Sequence, residues 1–282
     1  MNICAGIILY NPNIERLTEN VNAILPQVNR LVFVDNASAN ISNLQKIFSD
    51  DRFAWILNDV NLGVSGALNQ MMIYAKQNEF DWILTLDEDS VCGNDLVQKL
   101  LSAITLSSDI AMVSPCIIDR NLDQFAQISE CELPDVENID MCITSGCLTN
   151  VNMILDTDGF DERLFIDQVD HDMCLRLKRR GYRILRANNA QLLQEFGQKT
   201  VFRRFLWKMV KYHNHSPIRV YYQTRNMIFM VRKYGTEFTP HPLLNYFYRI
   251  AAFCVKLIYE PQRLRRTIAF IRGYAAGLTM KL

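Results

Sequence analysis

Four short, almost wholly apolar runs open the chain, ICAGIILY (3–10), LVFVD (31–35), FAWIL (53–57) and DWILTLD (81–87), and the turns that follow them are polar. Between and after them, apolar residues recur at helical spacing in IERLTENVNAIL (14–25), GALNQMMIYAKQ (66–77) and NDLVQKLLSAITL (94–106). Strands that are apolar throughout are buried on both faces. Their alternation with amphipathic helices predicts an α/β fold, a Rossmann-like, mostly parallel central sheet flanked by helices. Further strands are predicted at 110–115 and 141–150, then a helix from Val169 to Arg180 stopped by Gly181, then a strand from Tyr182 to Leu185. Beyond about residue 200 the spacing becomes helical. The expected division is an α/β domain over residues 1–198 and a mainly helical region over residues 199–282.

At 282 residues, 49% of them hydrophobic, the chain can bury a core of that size and is not disordered. Its eight cysteines include no C-x-x-C pair and sit among apolar neighbours, the pattern of buried, reduced thiols in a cytoplasmic protein. The N-terminal MNICAGIILYNP lacks a basic segment and a cleavage site and reads as a first strand, not a signal peptide. No run reaches the roughly 18 uninterrupted apolar residues that spanning a bilayer needs. The net charge of zero hides an asymmetry. Residues 1–198 hold 14 Lys+Arg against 28 Asp+Glu, whereas residues 199–282 hold 16 against 2. An acidic body with a basic tail suggests cation binding in the first and an anionic contact for the second.

In open α/β sheets ligands bind beyond the carboxyl ends of the strands. Here those ends carry Tyr10-Asn11, Asp35-Asn36 and Asp87-Glu88-Asp89. Asp87 and Asp89, two residues apart where the chain turns, can hold a hard cation through oxygen. The same acids also suit the positive N-terminal end of the next helix, and the triplet alone does not separate these readings. Asp35 and Asn36 can pair with a nucleobase edge or ribose hydroxyls, or simply close a strand. Asn61-Leu62-Gly63 through Asn69 sets Gly63 and Gly66 at a loop-to-helix junction where backbone amides can face a ligand, or where small residues pack. Gly159 through Asp172 ends in Val169-Asp170-His171-Asp172, placing Asp170 in a helix's first turn, where it can cap the helix or act as a general base.

The order and spacing of these segments resemble family 2 glycosyltransferases of the GT-A fold, and more narrowly their bacterial rhamnosyltransferase branch. Matching stretches are Ile8–Pro12, Val34–Ser38, Asn61–Asn69, Leu86–Ser90, Thr144-Ser145-Gly146 and Gly159–Arg176, followed by Arg219-Val220-Tyr221-Tyr222 and Arg225-Asn226. The resemblance implies an inverting transferase acting by a single displacement. By the same resemblance Asp35 contacts the base, and Tyr10, Asn11, Asn36, Asn61, Gly63, Asn69, Ser145 and Gly146 belong to the nucleotide-sugar pocket. Asp87 and Asp89 would serve Mg²⁺ or Mn²⁺ and the donor diphosphate, and Asp170 would be the general base. The implied donor is dTDP-L-rhamnose, with a UDP-hexose as the alternative. A non-catalytic nucleotide-sugar-binding module is the alternative of a different class.

One position departs from the pattern. Where the family often has a metal-contacting histidine in H-x-x-G, this chain reads Leu193-Gln194-Glu195-Phe196-Gly197, leaving Gln194, His213 or His215 as substitutes. The basic, aromatic tail, including Phe202–Lys211 and Arg263–Arg266, suits an anionic membrane surface and a glycan or lipid-linked glycan acceptor. Packing on a second subunit is the alternative. No nucleic-acid partner is expected, and the expected location is the cytoplasm, peripheral on the inner face of the cell membrane.

Overall fold

A computed structural model describes residues 2–120, 134–195, 201–205, 208–212, 216–259 and 262–282. The chain divides into two compact units, Met1–Phe165 with Val169–Glu195, and Ile166–Gln168 with Phe196–Leu282.

The first unit is built on the predicted strands β1 (Cys4–Leu9), β2 (Arg30–Asp35), β3 (Phe53–Leu57) and β4 (Trp82–Asp87), which pair in parallel in the order β3-β2-β1-β4. Their register sets Leu9 beside Asp35 and Ile8 beside Asp87, so the polar strand ends share one rim. Helices α1 (Ile14–Ile24), α2 (Ile41–Ile47), α3 (Gly63–Gln77) and α4 (Leu96–Ile104) lie between and after them. α1 buries Leu17, Val21 and Ile24, spaced four and three residues apart, and starts where Asn13 accepts the Arg16 amide at 3.0 Å. Each such buried aliphatic side chain contributes about 1.5–3 kcal/mol. Phe33 anchors one side of the core against Phe48, Phe53 and Trp55, with ring centroids 4.5–5.5 Å apart.

The remainder of the sheet breaks the parallel pattern. Strands β5 (Val91–Cys92), β6 (Ile110–Asp119), β7 (Val136–Asn138), β8 (Cys147–Asn150) and β9 (Arg183–Gln194) complete nine strands among the described residues, in the order β3-β2-β1-β4-β8-β6-β9-β5 with β7 on β9. β8 runs antiparallel between β4 and β6, while β6 and β9 are parallel to each other. Helices α5 (Val151–Asp156) and α6 (Val169–Arg179) lie between β8 and β9. The predicted strand over 141–150 shortens to its last four residues, and that at Tyr182–Leu185 extends to Gln194. The extension is carried by neighbours: β6, β7 and β5 supply hydrogen-bonding partners along a sequence rich in Asn and Gln.

In the second unit, residues 201–205 and 208–212 form an antiparallel strand pair, β10 (Val201–Phe205) with β11 (Lys208–Tyr212), where the sequence spacing predicted helix. Val201, Phe202, Phe205, Val210 and Tyr212 are strand-favouring residue types, and their pairing outweighs the helical spacing. Helices α7 (Pro217–Tyr234), α8 (Pro242–Tyr259) and α9 (Arg263–Thr279) follow. α9 lies close on α7 because Gly273 and Gly277 carry no side chain. A Cβ there would sit 2.5 Å from the Tyr221 carbonyl oxygen and 2.6 Å from that of Arg225. Arg232 of α7 caps α9, donating to the carbonyls of Gly277 and Met280 at 2.9 and 2.7 Å. Phe253 of α8 stacks on Phe270 of α9 with centroids 4.0 Å apart.

The described cysteines are unbridged. Cys4, Cys92, Cys142, Cys147 and Cys174 are buried as expected, whereas Cys116 is half-buried and Cys254 is exposed.

Candidate active site

The acid triplet lies at the end of β4, and its surroundings fix it from several sides. The Asp87 amide donates to Ser145 Oγ at 3.0 Å, Ser145 and Ser90 hydroxyls lie 2.8 Å apart, and Asn20 Nδ2 donates to the Asp87 carbonyl at 2.8 Å. Ser145 is held by a tight bend. Gly146 adopts φ 79°, donates its amide to the Thr85 carbonyl at 2.7 Å, and would drive a Cβ to 2.7 Å from Leu192. Thus Ser145 and Gly146 support Asp87 from below. Gln194, at the end of β9, donates Nε2 to Asp87 Oδ2 at 2.9 Å, and its own Oε1 is buried with no partner among the described residues.

Glu88 turns the other way and accepts the Tyr10 amide at 2.9 Å. Burial pushes the Glu88 carboxyl up to about 7, opposed by the Tyr10 hydrogen bond and reinforced by the negative charges of Asp89, Asp87 and Asp35. Burial also raises Asp89, with the charge of Glu195 adding to it. The rim therefore concentrates carboxylates in a poorly solvated place. Among the described residues, no three His, Cys, Asp or Glu side chains are arranged to hold a cation by themselves. His213 and His215 lie outside the described residues.

At the neighbouring strand end, Asp35 is 2% exposed. Its Oδ2 accepts the Ser38 amide at 2.9 Å, while Oδ1 is buried without a hydrogen-bond donor among the described residues. A buried carboxylate oxygen lacking a donor is costly, so a ligand N–H or O–H there would be strongly favoured. Asn11, at φ 52°, joins the loops after β1 and β2 by donating its amide to Ser38 Oγ and accepting the Ala39 amide, both at 2.8 Å. The Tyr10 side chain stands 53% exposed at the rim.

The glycine junction makes its close approach to protein. Asn61 Oδ1 accepts the Gly63 amide at 2.8 Å, and Asn36 clamps the same loop, donating to the Gly63 carbonyl at 3.1 Å and accepting the Leu62 amide at 3.3 Å. A Cβ on Gly63, where φ is 77°, would lie 2.4 Å from the Phe165 carbonyl oxygen, which accepts the Val64 amide at 2.6 Å. Six residues further into α3, Asn69 donates to the Phe160 carbonyl and to Glu162 Oε1, both at 2.9 Å, and accepts the Phe160 amide at 2.7 Å. Its amide is engaged with the segment that leads to Asp170.

Asp170 lies in the first turn of α6, its side chain 21% exposed, with Oδ1 accepting the His171 amide at 2.9 Å. The helix is locked in place from behind. Asp172, fully buried, accepts Arg176 Nε at 2.8 Å, and Arg176 Nη1 reaches the carbonyls of Thr157 and Gly159 at 2.5 and 2.6 Å. Phe165, Asp167 and Gln168 all adopt positive φ, between 60° and 68°. Within the second unit, Asn226 donates to the carbonyls of Ile166 and Asp167 at 2.7 and 2.9 Å. Such conformations persist only where surrounding bonds impose them.

The structure thus groups Tyr10, Asp87, Glu88, Ser145 and Gly146 with Gln194, and Asn11, Asp35, Asn36, Asn61 and Gly63 in an adjoining set. Gly63 and Asn69 tie that set to the approach to Asp170. Sequence reasoning missed the supporting roles of Asn20, Ser90, Arg176 and Asn226. Only the Asp172–Arg176 spacing of four on a helix signals one of them in advance.

A sheet whose parallel half ends in a polar rim, interrupted by an antiparallel strand beside an acid triplet, is the architecture of the GT-A class of sugar-transferring folds. The chain matches Glycosyl transferase family 2 over residues 4–152 and belongs to that family. It is rhamnosyltransferase-like: the dTDP-rhamnosyl transferase RfbF of Shigella flexneri is 25% identical, with the match covering 98% of this chain and 97% of that one. Its fold is similar to a mannosyltransferase, PcManGT of Pyrobaculum calidifontis, in complex with GDP-Man and Mn²⁺. That match has a TM-score of 0.57 and 11% identity, over 100% of this chain and 88% of that one. It is also similar to GalNAc-T7 with UDP, GalNAc and Mn²⁺, with a TM-score of 0.61 and 11% identity over 84% of this chain. This chain spans about half of the GalNAc-T7 chain, 49%.

Proposed function

We propose that this glycosyltransferase moves L-rhamnose from dTDP-L-rhamnose, with inversion, onto a polysaccharide or lipid-linked glycan at the inner face of the cell membrane. The observation that carries the reading is the buried Oδ1 of Asp35, donorless among the described residues and two strands from Asp87 on one rim. Thymine offers a ring N–H to such an oxygen. Uracil offers the same group, so a UDP-hexose is the second donor that this observation favours. The 25% identity to a dTDP-rhamnosyl transferase supports the first.

The residues at the triplet fit a divalent cation of the Mg²⁺ or Mn²⁺ kind, because Asp87, Asp89 and the amide oxygen of Gln194 are all hard oxygen donors. Once bound, such an ion would neutralise charge on the diphosphate leaving group. Gln194 donates to one Asp87 oxygen and adds no negative charge, so affinity for the ion depends on the donor diphosphate arriving with it. Asp170 takes the proton from the acceptor hydroxyl as that oxygen attacks the anomeric carbon from the face opposite the diphosphate. Asn36, Asn61, Gly63 and Asn69 hold the loop that positions both ends of this arrangement.

The test is a thermal-shift and calorimetric screen of dTDP-, UDP- and GDP-sugars with and without Mn²⁺, followed by donor hydrolysis. Binding of a dTDP- or UDP-sugar, strengthened by Mn²⁺ and weakened at least tenfold in Asp35→Ala, is expected from the loss of a charged hydrogen bond. Asp170→Asn should keep that binding and abolish turnover. A wild-type chain that binds donors but hydrolyses and transfers none would leave a non-catalytic module and overturn the proposal.

A further inference from the structure

Helix α9 has two faces of opposite character. On one, Arg266, Gly273 and Gly277 are buried. On the other, Leu264, Ile268, Ile271, Ala275 and Leu278 recur at alternating steps of four and three residues, and Leu282 continues the series. All are exposed, Leu264 at 74% and Ile271 at 60%. That spacing makes a straight apolar seam along a helix. Helix α8 repeats the pattern, with Leu244, Phe247, Tyr248 and Ala251 exposed along one side, Phe247 at 70%. Contiguous apolar seams of this length mark a surface that meets something.

The residues beside the seam select the partner. Arg265 and Arg272 directly follow Leu264 and Ile271, and both are exposed. Helix α9 carries no acidic residue at all. A second copy packed on this seam, in either direction, would set cations against cations with no carboxylate on the helix to relieve them. An anionic headgroup layer accepts those cations while the Leu and Ile side chains enter the acyl boundary. No helix among the described residues is long and apolar enough to cross a membrane, so the contact is one of lying on the surface. We infer that the outer face of α9, with the exposed side of α8, is the docking surface for an anionic lipid bilayer. This deepens the proposed function by naming the surface that meets a lipid-borne acceptor. Vesicle binding needs neither donor nor turnover, so the two readings fail separately.

The experiment is co-flotation of the full chain with phosphatidylcholine vesicles, with and without phosphatidylglycerol. Expected are binding to the anionic vesicles alone, weakening with added salt, and a loss of about fivefold for each cation removed in R265Q/R272Q. I268S/I271S should lower binding about tenfold or more per residue by removing the apolar anchor. Circular dichroism melts identify any variant that has failed to fold, and the lipid and salt comparisons on the wild type stand without variants. Three results would overturn the inference. They are absence of wild-type binding to anionic vesicles, binding insensitive to salt and lipid charge, and a dimer in sedimentation velocity that I268S/I271S dissolves while vesicle binding is unaffected.

Discussion

Replacing Arg176 by methionine keeps most of the aliphatic stem and removes the guanidinium that pins α6. In the native structure that group meets Asp172, whose side chain is fully buried, and bonds the carbonyls of Thr157 and Gly159. Taking the Arg176 guanidinium away from a buried carboxylate costs about 3–5 kcal/mol, and the loss of its bonds to two carbonyls adds up to roughly 1 kcal/mol each. Total stabilities run about 5–15 kcal/mol, so the variant should approach the edge of folding. For a unit of this size the melting temperature should fall by about 6–28 °C. The assay is a pair of thermal melts, Arg176→Met alone and together with Asp172→Asn. Because most of the cost lies in the buried charge that has lost this cation, neutralising it should restore much of the loss. An Arg176→Met melt within about 2 °C of wild type would refute the argument.

Gly63→Ala combines a φ of 77° with a Cβ 2.4 Å from the Phe165 carbonyl, whereas Gly181→Ala has φ 82° and nothing within 4 Å. Both should lose about 1–2 kcal/mol to backbone conformation. Gly63→Ala should lose measurably more in urea unfolding, and equal losses would remove the contact argument. Burial pushes the thiols of Cys4 and Cys92 up to about 12 from 9.0. They stay neutral in the fold while the unfolded chain ionises, so their contribution is complete below pH 9 and lost as pH rises towards 12. Stability should therefore fall by up to about 1.4 kcal/mol per thiol per pH unit in that range. Calorimetry of Cys4→Ala/Cys92→Ala should show a shallower decline, and mass spectrometry should find both thiols unalkylated in the native protein at pH 8.

The strands β1, β2 and β4 were legible because a doubly covered strand leaves almost no polar position, and β3, a half-buried edge strand, was legible because its residues are apolar all the same. β9 was legible only at its start, since Asn188, Asn189 and Gln191 are poor strand formers held there by partners distant in sequence. The strand pair β10–β11 was hidden by basic and aromatic residues that fit helical spacing equally well. Within the site, Asp35, Asp87 and Asp170 announce themselves as acids at strand or helix ends. The amides of Asn36 and Asn69 look alike in sequence, and only the fold shows that each clamps a loop. Gln194 was conspicuous only as a departure, and its bond to Asp87 across 107 residues of chain could not be read from spacing.

The passage from Phe165 to Val169 has a consequence for anyone dividing this protein. Ile166–Gln168 cluster with the second unit although residues on both sides belong to the first, and Asn226 grips their carbonyls. A truncation before residue 196 would therefore leave the run just ahead of Asp170 without the bonds that impose its backbone. For the same reason, a chimera that grafts a relative's tail onto the first unit should exchange residues 166–168 along with it, treating three internal residues as the tail's outlying share.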